Sequence, residues 1–248
     1  MAGAGVLGEI GRVGKFWWTT VHWMATHWPE PRPVLEQMFR IGVMSLPVIL
    51  AICAFVGSNI VLVGFYTFQQ FGGQDMVGAY SGLMSIREFS PIIVGAMMAA
   101  KPGTEMTATI ATMRIKEQID ALEVMAVNPF GYLMAPRFLA FMLVAPILII
   151  FADISAIFAG WLVAVYQLGV NSGAFMADVT RFLTIDDVLF SIVKGMIYAL
   201  LTCVVSCYFG YTSGPGPQGV SKAINRAVVT IATLIVVLNY FLSEMMWG

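Results

Sequence analysis

The sequence contains little charge and little metal-binding or catalytic chemistry. Asp, Glu, Lys and Arg make up 11% of its 248 residues, and hydrophobic residues make up 59%. An ordinary soluble domain carries roughly twice that charged fraction. Its two histidines and three cysteines (Cys53, Cys203 and Cys207, all in apolar runs) have no zinc-type spacing and form no disulfide framework. With a net charge of −1, the composition indicates a membrane protein and gives no sign of nucleic-acid binding.

The sequence also lacks a recognisable source of chemical energy. The glycine-rich stretch 214–219 is followed by Val220-Ser221 in place of the Lys-Ser/Thr pair of a phosphate loop, and its prolines remove backbone donors. No nucleophile–base set and no metal-ligand cluster is apparent in the sequence. We therefore predict that the chain is not an enzyme, with no catalytic residue, no metal site and no cofactor of its own. Uphill transport would take its energy from a partner or from an ion gradient.

Long uncharged runs predict five membrane-spanning helices in an all-α protein with a single domain, residues 1–248. A span needs about 20 apolar residues. The predicted spans are about 43–68, 77–100, 136–166, 188–211 and 225–246. Residues 1–40 then form an interfacial helix and linker, and 41–248 form the transmembrane domain. Pro146 is a candidate kink in the long third span, and Ala152, Ala156 and Gly160 form a small-residue ladder typical of close helix packing.

The N-terminal region has the pattern of a helix lying in the membrane interface rather than that of a cleavable signal peptide. Apolar residues recur there at spacings of three and four: Ile10, Val13, Trp17, Val21, Met24 and Trp28. Tryptophans favour the interface because indole is both apolar and hydrogen-bonding, and we interpret His22 and His27 as interfacial side chains. The prolines of residues 29–33 end this helix before the first span.

Basic residues predict the orientation. With the N-terminus in the cytoplasm, the outer segments hold only Arg181. The inner segments hold Arg12, Lys15, Arg32, Arg40, Lys101, Arg114, Lys116, Arg137, Lys222 and Arg226. This asymmetry follows the positive-inside rule and places the C-terminus outside. The stretch 169–187 is then an outer loop.

A charged stretch, residues 112–125, lies between the second and third spans and predicts an amphipathic helix. Ile115, Ile119 and Leu122 fall on one side, with Lys116 and Asp120 on another. Such a helix on the membrane surface offers its charges to a soluble partner. A solvated loop helix without a partner explains the pattern equally well.

Arg87 and Glu88 fall inside the second predicted span, where charge is costly and indicates function unless it is paired. One alternative is that both lie near the outer interface because the span starts later. Another is a structural ion-pair network with Asp153 or Lys194.

Several motifs together resemble the MlaE (YrbE) family, the permeases of lipid-trafficking ATP-binding-cassette transporters that work with MCE-domain proteins. The motifs are Arg87-Glu-Phe-Ser-Pro-Ile92, Gly103 through Met125 with its Met-Arg-x-x-Glu-Gln-Ile-Asp-Ala-Leu core, Asn128-Pro129, and Tyr132-Leu-Met-Ala-Pro-Arg137. The resemblance covers most of the chain. Lys101 and Glu105 depart from the usual family pattern.

The resemblance implies a phospholipid permease of the bacterial inner membrane that maintains the lipid asymmetry of the outer envelope. Its implied partners are a second copy of the chain, a cytoplasmic ATPase that holds ATP and Mg²⁺, a periplasmic MCE-domain protein and, as a further candidate, a small cytoplasmic STAS-domain protein. The charged helix would be the coupling helix that the ATPase grips. Its expected coupling residues are Arg114, Lys116, Glu117, Asp120 and Glu123.

For substrate binding we predict two groups of residues. Phe65, Phe68 and Phe71 are expected to line an apolar pocket for acyl chains at the dimer interface, with core packing as the alternative. Arg87 is expected to bind the lipid phosphate, and Glu88 to neutralise Arg87 when the site is empty. Two other functions remain: an ion-coupled secondary transporter that uses Arg87, Glu88 and Asp153 as a relay, and a passive membrane anchor for MCE subunits.

Overall fold

In a computed structural model, the described residues are 8, 11–20, 22 and 31–247, and they contain helices but no strand. The helices are α1 (11–20), α2 (Pro31–Gly42), α3 (Leu46–Gln69), α4 (Val77–Met84), α5 (Ser90–Met98), α6 (Thr104–Ile115), α7 (Gln118–Val124), α8 (Ala135–Tyr166), α9 (Ser172–Phe182), α10 (Ile185–Tyr211) and α11 (Gly216–Trp247). A short 3₁₀ turn, Gln74–Met76, precedes α4. The predicted all-α membrane fold is confirmed.

Five helical stretches are long and apolar enough to cross a membrane. They are Pro31–Gln69, Val77–Ile115, Phe130–Tyr166, Ile185–Tyr211 and Gly216–Met246. The predicted number of spans is correct, but all five helical stretches extend beyond the predicted bounds at one end or both. Hydropathy marks the apolar part of a helix, whereas helical hydrogen bonding continues into polar ends. The third span runs through Pro146 as one helix.

The second span contains two π-helical turns, Ser85–Phe89 and Ala99–Gly103. At the first of these, the Ser90 N–H donates to the Ser85 carbonyl, five residues back. Pro91 and Pro102 lie just after and within these turns. Because proline has no N–H, it cannot make the regular α-helical bond at its position. The first π turn carries Arg87 and Glu88, so it sets the direction of both side chains.

The chain divides into two compact units. Unit 1 comprises Met1–Val43, Met98–Val144 and Ala199–Leu234, and unit 2 comprises Met44–Met97, Ala145–Tyr198 and Ile235–Gly248. Within unit 1, the buried Thr107 hydroxyl donates to Gly103 O (2.9 Å) and to Ser206 O (3.2 Å). A Cβ on Gly210 would lie 3.0 Å from the Thr107 carbonyl oxygen. Small residues therefore bring α6 and α10 into close contact.

Helix packing in unit 2 also depends on small residues. A Cβ on Gly57 in α3 would lie 2.2 Å from the carbonyl oxygen of Ala156 in α8, so only glycine fits there. The Ser155 hydroxyl donates to the Leu50 carbonyl at 2.9 Å. The predicted close packing along the ladder of Ala152, Ala156 and Gly160 is thus confirmed for Ala156 and also for Gly160, which lies against Gly57 and Val61.

Helix α9 lies within the stretch 169–187, which the sequence analysis described only as an outer loop. The Asn171 side chain caps it by accepting hydrogen bonds from the N–H groups of Gly173 (2.9 Å) and Ala174 (3.2 Å). Phe175 and Val179 are buried in one core cluster of unit 2. The cap and this four-residue apolar spacing were visible in the sequence, but the segment is too short to stand out by hydropathy.

The predicted N-terminal helix is present over residues 11–20. Its Phe16 ring contacts Phe130 (5.3 Å between ring centroids), Tyr208 (5.9 Å) and Tyr211 (5.8 Å), all within unit 1. Trp17 is half-buried, and Trp18 is exposed. The remaining positions of the predicted apolar stripe and the second histidine lie outside the described residues: Ile10, Val21, Met24, His27 and Trp28.

Candidate functional site

Four charged side chains of unit 2 form what we call the charge network: Arg87, Glu88, Asp187 and Lys194. Arg87 Nε lies 2.8 Å from Asp187 Oδ1, and Lys194 Nζ lies 3.2 Å from Glu88 Oε1. The Asp187 and Lys194 side chains are almost completely buried, whereas Arg87 is 33% and Glu88 28% exposed. The network therefore has a buried side on α10 and a partly exposed side on the π turn.

The missing N–H of Pro91 explains one of the hydrogen bonds that Lys194 makes. In a regular α-helix the N–H of residue 91 would donate to the carbonyl of Arg87, but Pro91 has no N–H. That carbonyl instead accepts a hydrogen bond from Lys194 Nζ at 3.0 Å. The ammonium also lies 2.8 Å from Ser243 Oγ. Together with Glu88, these acceptors match the three donors of a lysine, so its buried charge is fully hydrogen-bonded.

Glu88 is bound on both carboxylate oxygens. Oε1 accepts from the Ser243 hydroxyl at 2.6 Å in addition to Lys194, and Oε2 accepts from Asn239 Nδ2 at 2.8 Å. The Tyr198 hydroxyl donates to Asn239 Oδ1 at 2.9 Å and so fixes the orientation of the amide. A carboxylate with this many partners is well stabilised in its charged form.

Asp187 also caps the start of helix α10. Its Oδ2 accepts from the backbone N–H (3.0 Å) and the hydroxyl (2.8 Å) of Thr184, forming a capping box. The opposite oxygen receives Arg87. Sequence analysis missed Asp187, although the Thr-x-x-Asp spacing of a capping box was available as a signal.

The sequence analysis expected Glu88 to be the resting partner of Arg87, and this pairing is not the one found. Arg87 pairs with Asp187, while Glu88 pairs with Lys194. Adjacent residues on a helix point about 100° apart, so the two side chains reach different neighbours. The sequence analysis named Asp153 and Lys194 as candidate partners in a structural ion-pair network, and Lys194 is the one that forms an ion pair there.

An open cavity of about 410 Å³, which we call the network cavity, lies beside the partly exposed side of the charge network. It is lined by Leu83, Met84, Arg87, Glu88, Tyr240, Ser243 and Glu244. Apolar, cationic and anionic groups thus face one space. Such a lining suits an amphiphile that carries charge at one end.

Asp153 takes no part in the charge network. It is 5% exposed, has no ion-pair partner among the described residues, and has the Ser90 and Ser191 hydroxyls as polar neighbours. It also lines an otherwise apolar cavity of about 350 Å³. Within the described part of the chain, Asp153 is not hydrogen-bonded to Arg87 or Glu88, which weakens the proton-relay interpretation.

The three predicted phenylalanines do not share one environment. Phe65 and Phe68 pack against the core cluster that contains Val61 and Phe175. Phe68 also meets the Tyr80 ring edge-on, with 5.5 Å between centroids. Phe71 lies in the turn after α3 and is 82% exposed. Core packing therefore explains much of the burial of the first two, and contact with acyl chains stays a prediction for all three.

The charged stretch 112–125 is two helices, not the single helix that was predicted. Helix α6 ends at Ile115, Glu117 adopts a left-handed conformation (φ 58°), and α7 begins at Gln118. Ile119 is completely buried after this break. The left-handed residue interrupts the helix between Ile115 and Gln118, and periodicity alone does not reveal such a break.

The predicted coupling residues fall into two groups. Arg114 forms an ion pair with Asp120 and lies 5.5 Å from the centre of the Tyr211 ring, whose hydroxyl donates to Glu123 at 3.3 Å. Three of the five residues are therefore held together by contacts within unit 1. The other two, Lys116 and Glu117, are exposed.

Comparison with known proteins decides the family. The model of the family described as Permease MlaE matches residues 34–245, which is most of the chain. The chain belongs to the MlaE permease family. Its earlier motif-based resemblance to that family is confirmed.

Curated relatives agree with this assignment. The chain is 31% identical over 216 residues to the intermembrane phospholipid transport system permease protein MlaE of Haemophilus influenzae, covering 87% of this chain and 83% of that protein. It is 35% identical over 212 residues to a probable ABC transporter permease protein of Rickettsia conorii, covering 86% and 82%. The chain is thus the membrane subunit of an ABC transporter.

Proposed function

We propose that this MlaE-family permease moves phospholipid between the bacterial inner membrane and a periplasmic MCE-domain protein, driven by a separate cytoplasmic ATPase, and so maintains lipid asymmetry of the outer envelope. The name of the Haemophilus relative includes phospholipid transport. The observation that carries the proposal for this chain is the charge network at the edge of the network cavity. A passive membrane anchor would have no need for a partly exposed arginine there.

In this proposal the lipid headgroup binds in the network cavity. The phosphate competes with Asp187 for Arg87, whose guanidinium is partly exposed. Asp187 is not stranded by the exchange, because Thr184 continues to hold its other oxygen. Glu244 also lines the cavity and suits the ammonium group of a zwitterionic headgroup. The Lys194–Glu88 pair stays closed and serves as the fixed support.

A second copy of the chain is proposed to cover α11. In this span 11% of an apolar stretch of 18 residues is buried inside the protein, against 39–44% of the corresponding stretches in the other four spans. Val236, Tyr240 and Phe241 are all more than half exposed. Contact between two copies along this helix would place the network cavity of each copy beside the dimer interface, because Tyr240 belongs to both surfaces.

The ATPase is proposed to dock on the 112–125 segment, with the N-terminus in the cytoplasm and the C-terminus in the periplasm. Arg114, Asp120 and Glu123 hold the shape of this segment, and Lys116 and Glu117 are free to meet the partner. An MCE-domain protein on the opposite side and a STAS-domain protein on the ATPase complete the assembly suggested by the family.

The deciding experiment is lipid transfer by the reconstituted transporter with Arg87→Gln. We expect the variant to keep its dimer, its bound ATPase and basal ATP hydrolysis, and to lose at least about tenfold in transfer rate, which corresponds to one charge-assisted contact. The matched control is Arg181→Gln, an exposed arginine on α9 outside the network. A stable Arg87→Gln transporter that transfers lipid at the normal rate would refute the headgroup assignment. Loss of the dimer together with a lower melting temperature would make the residue structural.

A further inference from the structure

A second cavity, in unit 1, has a different chemical character. It encloses about 520 Å³ at the turn between α10 and α11, and we call it the basic cavity. Its lining includes Arg12 from α1 and Lys222 and Arg226 from α11. The glycine-rich stretch 214–219, which fails as a nucleotide phosphate loop, forms part of its wall.

The three basic side chains face the cavity with no acidic side chain of the described residues in its lining. None of them has a carboxylate within 4.0 Å among the described residues, and the lining contains no Asp or Glu. Lys222 and Arg226 lie one helical turn apart on the same face of α11, where like charges repel. An anion bound between them would remove that repulsion and gain charge-assisted hydrogen bonds.

Uncharged donors point to the same kind of ligand. The Ser213 hydroxyl is buried, lines the cavity and has no hydrogen-bond partner among the described residues. Helix α11 begins at Gly216, so the N–H groups of its first turn, other than at Pro217, which has none, lack an acceptor within the helix. Gln218 and Gly219, from this first turn, also line the cavity. Several donors around one space suit a group with several acceptor oxygens, such as a phosphodiester.

The position of the basic cavity favours a lipid over a soluble anion as its ligand. The cavity lies where one apolar span ends at Tyr211 and the next begins at Gly216. Tyr208 and Phe209 add an aromatic wall on the side of the span, and aromatic side chains of this kind accumulate at the level of lipid headgroups. Charge on one side and aromatic surface on the other match the headgroup and glycerol region of one molecule.

We propose that the basic cavity is a binding site for the headgroup of an anionic phospholipid. Its phosphate would lie between Arg12, Lys222 and Arg226, and its glycerol region would lie against Phe209. Three cations with no acidic neighbour in the described part of the chain favour a net negative headgroup over a zwitterionic one. This site is separate from the network cavity, in unit 2, and does not depend on the direction or nature of the transported lipid.

The test measures lipid binding to the purified full chain in neutral detergent by native mass spectrometry, with phosphatidylglycerol and phosphatidylcholine as probes. In Lys222→Gln/Arg226→Gln, we expect the affinity for phosphatidylglycerol to fall about tenfold or more, with little change for phosphatidylcholine. The matched control, Lys15→Gln/Arg32→Gln, removes the same charge from exposed positions of unit 1 outside the cavity. It should bind phosphatidylglycerol like the unmodified chain. Arg12→Gln tests the cavity without altering α11.

Three results would overturn the proposal. Equal weakening in the cavity and control variants would mean diffuse attraction to negative charge. Equal affinity of the unmodified chain for both lipids would mean that the cavity does not select an anion. Displacement of phosphatidylglycerol by millimolar glycerol phosphate or inorganic phosphate would assign the cavity to a soluble anion. Circular dichroism of each variant establishes that its helices are intact before the affinities are compared.

Discussion

The charge network of unit 2 and the basic cavity of unit 1 hold their charges in opposite ways. In unit 2 the charge network contains two ion pairs, and the side chains of Glu88, Asp187 and Lys194 also make further hydrogen bonds. In unit 1 the basic cavity holds three exposed cations with no carboxylate near them among the described residues. Burial accounts for the contrast, because an unpaired charge is costly away from water and inexpensive beside it.

This contrast separates two ways of using charge for recognition. A buried pair exchanges one partner for another, so its ligand must compete with a group already in place. An exposed cluster has no resident partner, so its ligand competes only with water and salt. We therefore expect substitutions of the buried network residues Asp187 and Lys194 to change stability first, and substitutions in the basic cavity to change ligand affinity first.

The largest loss of stability is expected for Lys194→Met. The substitution leaves Glu88 without its cation and the Arg87 carbonyl without its donor. Breaking a fully buried pair costs 3–5 kcal/mol, and since Glu88 is 28% exposed we expect about 2–3 kcal/mol here. Equilibrium unfolding in mixed detergent micelles measures the difference.

Two further variants make that experiment specific. Lys222→Met removes a lysine from the basic cavity, and in neutral detergent it should change the unfolding free energy by no more than about 0.5 kcal/mol. Adding Glu88→Gln to Lys194→Met should restore part of the lost stability, because no carboxylate is then left without its cation. A Lys194→Met chain as stable as the unmodified one would contradict our account of the network.

Sequence analysis predicted the spans better than the contacts. Long uncharged runs are sufficient to locate five apolar helices, because transfer into a membrane depends on composition. The π turn at Ser85–Phe89 was not predictable in this way, since one additional residue per turn leaves hydropathy unchanged. The Arg87–Asp187 pair joins residues 100 positions apart, and no local pattern identifies which of several acids Arg87 reaches.

A smaller effect is expected at Asp187, where two substitutions separate its two roles. Asp187→Ala removes both the capping oxygen and the charge facing Arg87, and we expect a loss of about 2 kcal/mol. Asp187→Asn keeps an oxygen for Thr184 and loses only the charge, so about 1 kcal/mol is expected, because Arg87 is 33% exposed and turns towards water. Equal losses in the two variants would mean that the pair with Arg87 accounts for the whole effect and the cap for none.

The smallest effect is expected for the Arg40–Glu105 ion pair of unit 1, in which Glu105 departs from the usual family pattern. Arg40 Nη1 lies 3.1 Å from Glu105 Oε1, with side chains 55% and 45% exposed. Pairs of this exposure contribute a few tenths of a kcal/mol, because water and salt screen them. A double-mutant cycle with Arg40→Gln and Glu105→Gln should give a coupling of about 0.3 kcal/mol, reduced further at about 1 M salt. A coupling above about 1 kcal/mol that persists in salt would show that this exposed pair behaves like the buried pairs of unit 2, and our comparison of the two units would then fail at this position.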